Sequence, residues 1–236
     1  MKKYNTVLGF ITLFLLMQVS SVFAGTIRGT VKYNGEAPKL PEIKMDADPI
    51  CLTKNTGAVY SQILLLGEGN TLGNVFVHVV GGLSKKAYPA PAEPVILDQK
   101  GCIYEPRVIG VMVGQTLKVL NSDGTLHNVH GLPKVNQEFN IAMPKFRTEI
   151  TKVFDKPEFM FGLKCDVHPW MGAWVAVMDQ PFFSVSKKDG QFAIENLPAG
   201  QYEIEAWHEK MGTQKISVTL AEGETKEVAF SFSKPQ

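Results

Sequence analysis

The chain has 236 residues, 44% apolar, 20% charged and 10% aromatic, the balance of a folded protein with no disordered or collagen-like bias. With 24 basic and 23 acidic residues the net charge is +1, too even for a nucleic-acid footprint or a polybasic patch on anionic lipid. Neither partner is expected, and the length admits one large or two ordinary domains, of which two are favoured.

The first 24 residues differ from the rest. Lys2 and Lys3 precede the apolar run VLGFITLFLLM, and SSVFA places Val22 and Ala24 as small residues before Gly25. This reads as a secretory signal peptide over 1–24, with an uncleaved anchor as the alternative, because the apolar part is short for a membrane span. No cysteine follows the expected cut, so no lipid anchor is expected, and the mature chain belongs in a bacterial periplasm or outside the cell. Loss of Lys2 and Lys3 leaves 22 basic against 23 acidic residues, a net charge of −1.

Downstream, short alternating or apolar segments lie between turn residues: GTIRGTVKYNG, SQILLLG, NVFVHVVGG, RVIGVMVGQTLKVLNSDG, EFMFGLKC, GAWVAVMD, GQFAIENLPAG, QYEIEAWHEK and QKISVTLAEG. All fit strands, and no amphipathic helix of three turns stands out. The fold class is all-β, in sandwiches. A break is expected near MDQPFFSV, giving one domain over 25–180 and a smaller one over 181–236. Residues 25–100 carry no function that the sequence reveals.

Three cysteines in an oxidising compartment leave one with another task. Cys165 sits among metal-ligand residue types and Cys51 and Cys102 do not, so a Cys51–Cys102 disulfide is the economical pairing. It closes a loop of about 50 residues, worth about 3 to 4 kcal/mol in the chain-entropy model. Two buried free thiols are the alternative, since sequence does not show that the two residues approach.

The segment KCDVHPWMGAW spaces Cys165, His168 and Met171 three residues apart. In EFMFGLKC, Phe159, Phe161, Leu163 and Cys165 fall on one face at period 2, which points the Cys165 thiol toward the core end. Upstream, NSDGTLHNVHG supplies His127 after a turn. Two imidazoles, a thiolate and a thioether form a soft N/S set suited to copper and poorly suited to magnesium or calcium. Zinc is disfavoured because methionine is a weak fourth ligand. Taken singly, His127 reads as a surface histidine and Met171 as core filler; their joint placement changes the reading. His130 is ambiguous, His78 reads as a strand-face residue, and His208 as a packed one.

From Tyr104 to Met178 the sequence resembles the cupredoxins, closest to the amicyanin-type small blue copper proteins. HNVH matches His127, Asn128, Val129 and His130; Cys-x-x-His-Pro-aromatic-Met matches Cys165, His168, Pro169, Trp170 and Met171. The resemblance implies one type 1 copper, with Cys165 as dominant ligand, His127 and His168 equatorial, Met171 axial, and Asn128 tying the two ligand loops together by hydrogen bonds. It also implies an electron carrier like those described as methylamine-utilisation-like proteins, with a periplasmic c-type cytochrome or a dehydrogenase as partner, and no turnover of its own. With five histidines in all, a second His-rich copper site of a catalytic copper enzyme is not expected.

From Phe183 onward, DGQFAIENLPAGQYEIEAWH is similar to carboxypeptidase regulatory-like domains, which are transthyretin-like sandwiches. GTIRGTVKYNG resembles the opening strand of the same domain type, so insertion of the copper domain into that sandwich stands beside the tandem arrangement. Copper delivery, or carbohydrate or surface binding through the second sandwich, is the non-redox alternative. The Trp207–His208 edge is a candidate for docking on the copper domain.

Overall fold

The computed structural model describes residues 24–234; the expected signal peptide lies outside them except for Ala24. No described helix is long and apolar enough to cross a membrane. Strand β1 (Gly25–Tyr33) turns Ile27, Val31 and Tyr33 inward, the period-2 outcome of GTIRGTVKY. Residues 34–75 are largely irregular around one short helix, α1 (Pro49–Lys54). The strand expected in SQILLLG does not form. Leu66 makes a single bridge to Leu72, and Leu64 and Leu66 pack against a core; a short apolar run signals burial without fixing the backbone.

Strand β2 (Phe76–Gly81) follows. Then come β3 (Val95–Lys100), β4 (Ile103–Glu105), β5 (Val108–Met112), β6 (Thr116–Asn121), β7 (His127–Gly131), β8 (Phe139–Met143), β9 (Glu149–Val153), β10 (Glu158–Lys164) and β11 (Gly172–Met178). These nine make two sheets, ordered β5-β11-β10-β7-β8 and β4-β3-β6-β9. Leu97, Val111, Leu117, Val119, Val129 and Val175 are among the buried residues between them. Strands β3, β4, β7, β8 and β9 were not marked by the sequence pattern; β9 buries no side chain fully, so it offers little alternation to read.

The chain closes with β12 (Phe183–Val185), β13 (Gln191–Leu197), β14 (Gly200–His208), β15 (Gly212–Leu220) and β16 (Thr225–Phe232). Their partners correct the expected division at 180/181. Strand β1 is the middle strand of β13-β1-β16, and β2 lies inside β12-β2-β14-β15. A second core, with Ile27, Val31, Val77, Ile194, Ile204 and Phe232, fills the space between these sheets. The nine-stranded sandwich is therefore inserted between β2 and β12. β1 finds both of its ladders in this half: it pairs with β16 in parallel from Thr26 to Tyr33 and with β13 antiparallel. At Gly29 a Cβ would stand 2.0 Å from the Val228 carbonyl oxygen, so only glycine allows the β1–β16 approach.

The two halves are joined through a third buried cluster, with Phe76, Val108, Ala176 and Met178 at its centre and Trp174, Phe183 and Trp207 against it. Gly110 admits the Phe183 ring, which would lie 2.4 Å from an added Cβ. Arg107 forks onto the Glu209 carboxylate, with Nη2 2.9 Å from Oε2, and Trp174 Nε1 donates to the same oxygen at 3.2 Å. Trp207 packs edge-on to Trp174, ring centres 5.5 Å apart. Of the Trp207–His208 edge, then, Trp207 faces the inserted half. His208 points the other way, buried with its ring 6.1 Å from Phe232.

Because β1 is the central strand of its sheet, residues 181–236 expressed alone should fail to fold. Far-ultraviolet circular dichroism and amide shift dispersion of that fragment read the outcome, and joining residues 25–33 and 72–82 to it should restore a sandwich.

Candidate metal centre

Strand β10 carries the thiol to the site. Its pairing with β11 shifts register between Glu158 and Phe161, and Met160 has φ of 55°. This bulge breaks the expected alternation. Phe161, Leu163 and Cys165 stay buried, whereas Phe159 turns out to 40% exposure and stacks on His78 beside the second sandwich. His127 opens β7, following the tight turn of NSDG, and is buried. The loop after Cys165 is closed by hydrogen bonds from Met171 N to the His168 carbonyl (2.9 Å) and from Cys165 N to the Met171 carbonyl (3.3 Å).

The fold thus brings His127, Cys165 and His168 together, with one donor atom of each lying within 4.8 Å of the others. The two imidazoles face each other through Nδ1, 2.9 Å apart, and Cys165 Sγ lies 3.8 Å from His168 Nδ1. Donors sharing one tetrahedral ion at about 2.0 to 2.3 Å stand about 3.3 to 3.8 Å from one another, so small adjustments suffice to seat one. Met171 is buried in the same core cluster as Cys165.

Each outward-facing Nε2 meets a carboxylate. His127 Nε2 lies 2.9 Å from Asp123 Oδ2, and His168 Nε2 lies 3.0 Å from Asp48 Oδ2. Asp123 also accepts from the backbone N–H groups of Gly101 (2.7 Å) and Cys102 (2.8 Å). Cys102 and Cys51 form a disulfide with Cα atoms 5.6 Å apart, and Cys51 Sγ is 3.6 Å from His168 Nε2. Metal-binding histidines commonly give their second N–H to such a partner, which fixes the tautomer. Neither carboxylate was singled out in the sequence. Asp123, four residues before His127, was open to notice there; Asp48, 120 positions before His168, was not.

The protonation pattern follows from these contacts. Burial alone would lower His127, but its hydrogen bonds to Asp123 and Cys165 raise it to about 9. Burial, with the charge on His127, lowers His168 against the pull of Asp48. Burial would raise the Cys165 thiol, yet His127 and the backbone N–H groups of Asn128, His168 and Val167 bring it below its ordinary value. These contacts agree with a His127 that carries both protons, giving Nε2–H to Asp123 and sharing Nδ1–H between His168 Nδ1 and the Cys165 sulfur, while neutral His168 gives Nε2–H to Asp48.

Asn128 spans the two ligand loops. Its Oδ1 accepts from Asp166 N at 2.6 Å and its Nδ2 donates to Asn140 Oδ1 at 2.6 Å. The buried Tyr104 hydroxyl donates to the Asn128 carbonyl at 2.6 Å and contacts that of Lys164 at 3.2 Å, bracing the same loops. His130 stays outside the cluster. Its nitrogens meet Asp166 (2.8 Å) and Glu138 (3.1 Å) at the surface. His78 meets Glu205 at 3.2 Å.

No family profile matches the sequence, and no curated protein does. Part of the chain is similar to several solved structures. A copper-containing nitrite reductase from Thermus scotoductus SA-01 is 21% identical over 42% of this chain, with TM-score 0.32; the match spans only 26% of that enzyme's length. The oxidised P94A mutant of amicyanin is 25% identical over 36% of this chain and 82% of its own, with TM-score 0.33. A purple cupredoxin from Nitrosopumilus maritimus is 20% identical over 36% of this chain and 99% of its own, with TM-score 0.30. The superpositions are too loose to assign residues, and the assignment rests on the donor geometry.

A metal ion bound through His127 Nδ1 has to displace a proton held to about pH 9. Copper(II) affinity should therefore climb with pH up to about 9 and level off above it. Calorimetry in buffers of different ionisation enthalpy reads the released proton. Asp123→Asn, which removes a charge favouring His127 protonation, should move the plateau to lower pH.

Proposed function

We propose that this chain is an exported type 1 (blue) copper protein that carries single electrons in a periplasmic redox chain. The observation that carries the reading is the convergence of two Nδ1 atoms on the buried Cys165 sulfur while both Nε2 atoms are committed to carboxylates. Cys165, His127 and His168, with Met171 as a weak fourth ligand, are the donors that would hold the metal. One thiolate, two imidazoles and a thioether are a set that favours copper over harder or structural ions. Copper supplies the one-electron couple.

The protein residues hold the donors still. Backbone N–H groups favour the thiolate form of Cys165, Asp123 and Asp48 set the imidazole orientations, and Asn128 and Tyr104 tie the loops between β6 and β7 and between β10 and β11. A donor set fixed on neighbouring strands and braced by these hydrogen bonds changes little between oxidation states, which keeps one-electron exchange fast. Turnover of a substrate is not part of this reading. A c-type cytochrome or a dehydrogenase of the same compartment is the partner class. Export agrees with a Cys51–Cys102 disulfide, which persists in oxidising compartments.

A second reading, copper storage or delivery, draws on one observation: His168 is only 2% exposed and its outer nitrogen is covered. A partner therefore has no direct contact with that imidazole edge in this conformation.

Copper(II) added to the mature protein should give intense visible absorption from thiolate-to-copper charge transfer. Cys165→Ser should abolish it, whereas Met171→Gln should keep it and lower the potential. A colourless product with weak bands only would overturn the blue-copper reading. Voltammetry should show one quasi-reversible couple and stopped-flow mixing should show exchange with a c-type cytochrome; ready release of reduced copper to a chelator with no such exchange would favour storage.

A further inference from the structure

Residues 42–60 form a strap over the centre. Its two ends are joined by the Glu42–Tyr60 bridge and a hydrogen bond from Ile43 N to the Val59 carbonyl, 2.7 Å. Between them α1 presents Cys51 to Cys102, and Asn55 Nδ2 donates to the Gly101 carbonyl at 3.0 Å. The strap is thus latched, covalently and by hydrogen bond, to the same Gly101–Cys102 turn whose N–H groups hold Asp123. Asp48 sits at the start of α1. One oxygen caps the helix, accepting from Ile50 N at 2.8 Å; the other meets Thr125 Oγ1 at 3.3 Å and His168 Nε2 at 3.0 Å. The strap lies outside the Tyr104–Met178 stretch that supplies every candidate ligand.

We propose that Asp48 is a positioning residue for His168: the strap delivers its carboxylate to the Nε2–H edge, which fixes Nδ1 as the lone pair turned toward Cys165 and closes that edge to solvent. This deepens the copper reading and rests on it for the effect on the metal, but the hydrogen bond itself exists without copper. The physical argument is that a carboxylate partner selects one tautomer and makes the imidazole a stronger donor. A stronger donor favours the higher oxidation state of a bound metal. The helix-capping oxygen and the imidazole-facing oxygen are different atoms, so the two roles of Asp48 are separable.

The test uses the mature full-length protein with Asp48→Ser and Asp48→Asn. Serine keeps a helix cap but is too short to reach His168; asparagine removes the charge and offers one oxygen where the carboxylate offers two, so it serves the cap or Nε2–H but not both. Long-range nitrogen–proton spectra of the metal-free protein should show His168 as the Nε2–H tautomer, with a slowly exchanging proton, in the parent. In Asp48→Ser that proton should exchange rapidly. With copper added, affinity should fall about tenfold in Asp48→Ser, the lower end of the effect usual for such outer partners, and the potential should rise in both variants. The proposal is overturned if Asp48→Ser retains the slow Nε2–H proton, or if affinity and potential both match the parent while circular dichroism shows an intact fold. Failure of the copper reading would be seen separately, as a colourless parent protein with the metal-free spectra unchanged.

Discussion

The contact on which the site depends is the pairing of each imidazole edge with a carboxylate. A histidine ring has two nitrogens, and unless one is occupied the ring is free to flip or to bind through either. Here Asp123 takes Nε2 of His127 and Asp48 takes Nε2 of His168, so both Nδ1 atoms turn inward to 2.9 Å from each other and toward the Cys165 thiol. In a buried place such an approach of polar groups is costly unless every partner is satisfied. The chain of bonds from Asp123 through both rings to Asp48 satisfies them.

Those carboxylates are themselves held by elements far from the ligand loops. Asp123 is fixed by the N–H groups of Gly101 and Cys102 at the β3–β4 turn. Asp48 is fixed by the strap, which the Cys51–Cys102 disulfide ties to that turn. A single turn therefore organises the outer side of both rings, and the disulfide contributes less as a general staple than as the attachment of the strap at this spot. The cover it makes leaves His168 buried, which separates this centre from one whose imidazole edge meets solvent.

The insertion gives the sandwich that carries the candidate ligands a packed neighbour. Strands β5 and β11 lie at its interface with β2, β12 and β14, where Trp174, Trp207, Phe76 and Phe183 interlock and Arg107 is neutralised by Glu209. Strand β11 follows directly on the loop that holds His168 and Met171. Packing that fixes β11 also limits how far that loop moves, since interiors of this density transmit displacement instead of absorbing it.

The closeness of Cys165, His168 and Met171 was legible in the sequence, because they are neighbours along the chain, and the structure adds His127 to Cys165 and His168. The all-β class was legible too, since alternation at period 2 is a local property that survives whatever the strands pair with. The opening strand GTIRGTVKY announced its inward face, and its likeness to the first strand of the C-terminal sandwich kept insertion open, but its pairing with β13 and β16, some 160 to 200 residues away, was settled only by the fold. The outward turn of Phe159 was hidden because the bulge at Met160 is a choice of backbone dihedral made against β11. Asp48 carried no local sign of its role: helix cap and imidazole partner use the same carboxylate, and only closure of the strap across 120 residues brings it to His168. Sequence fixes which groups are present and which way each strand faces; which groups meet is set by chain closure, whose energetics are not local.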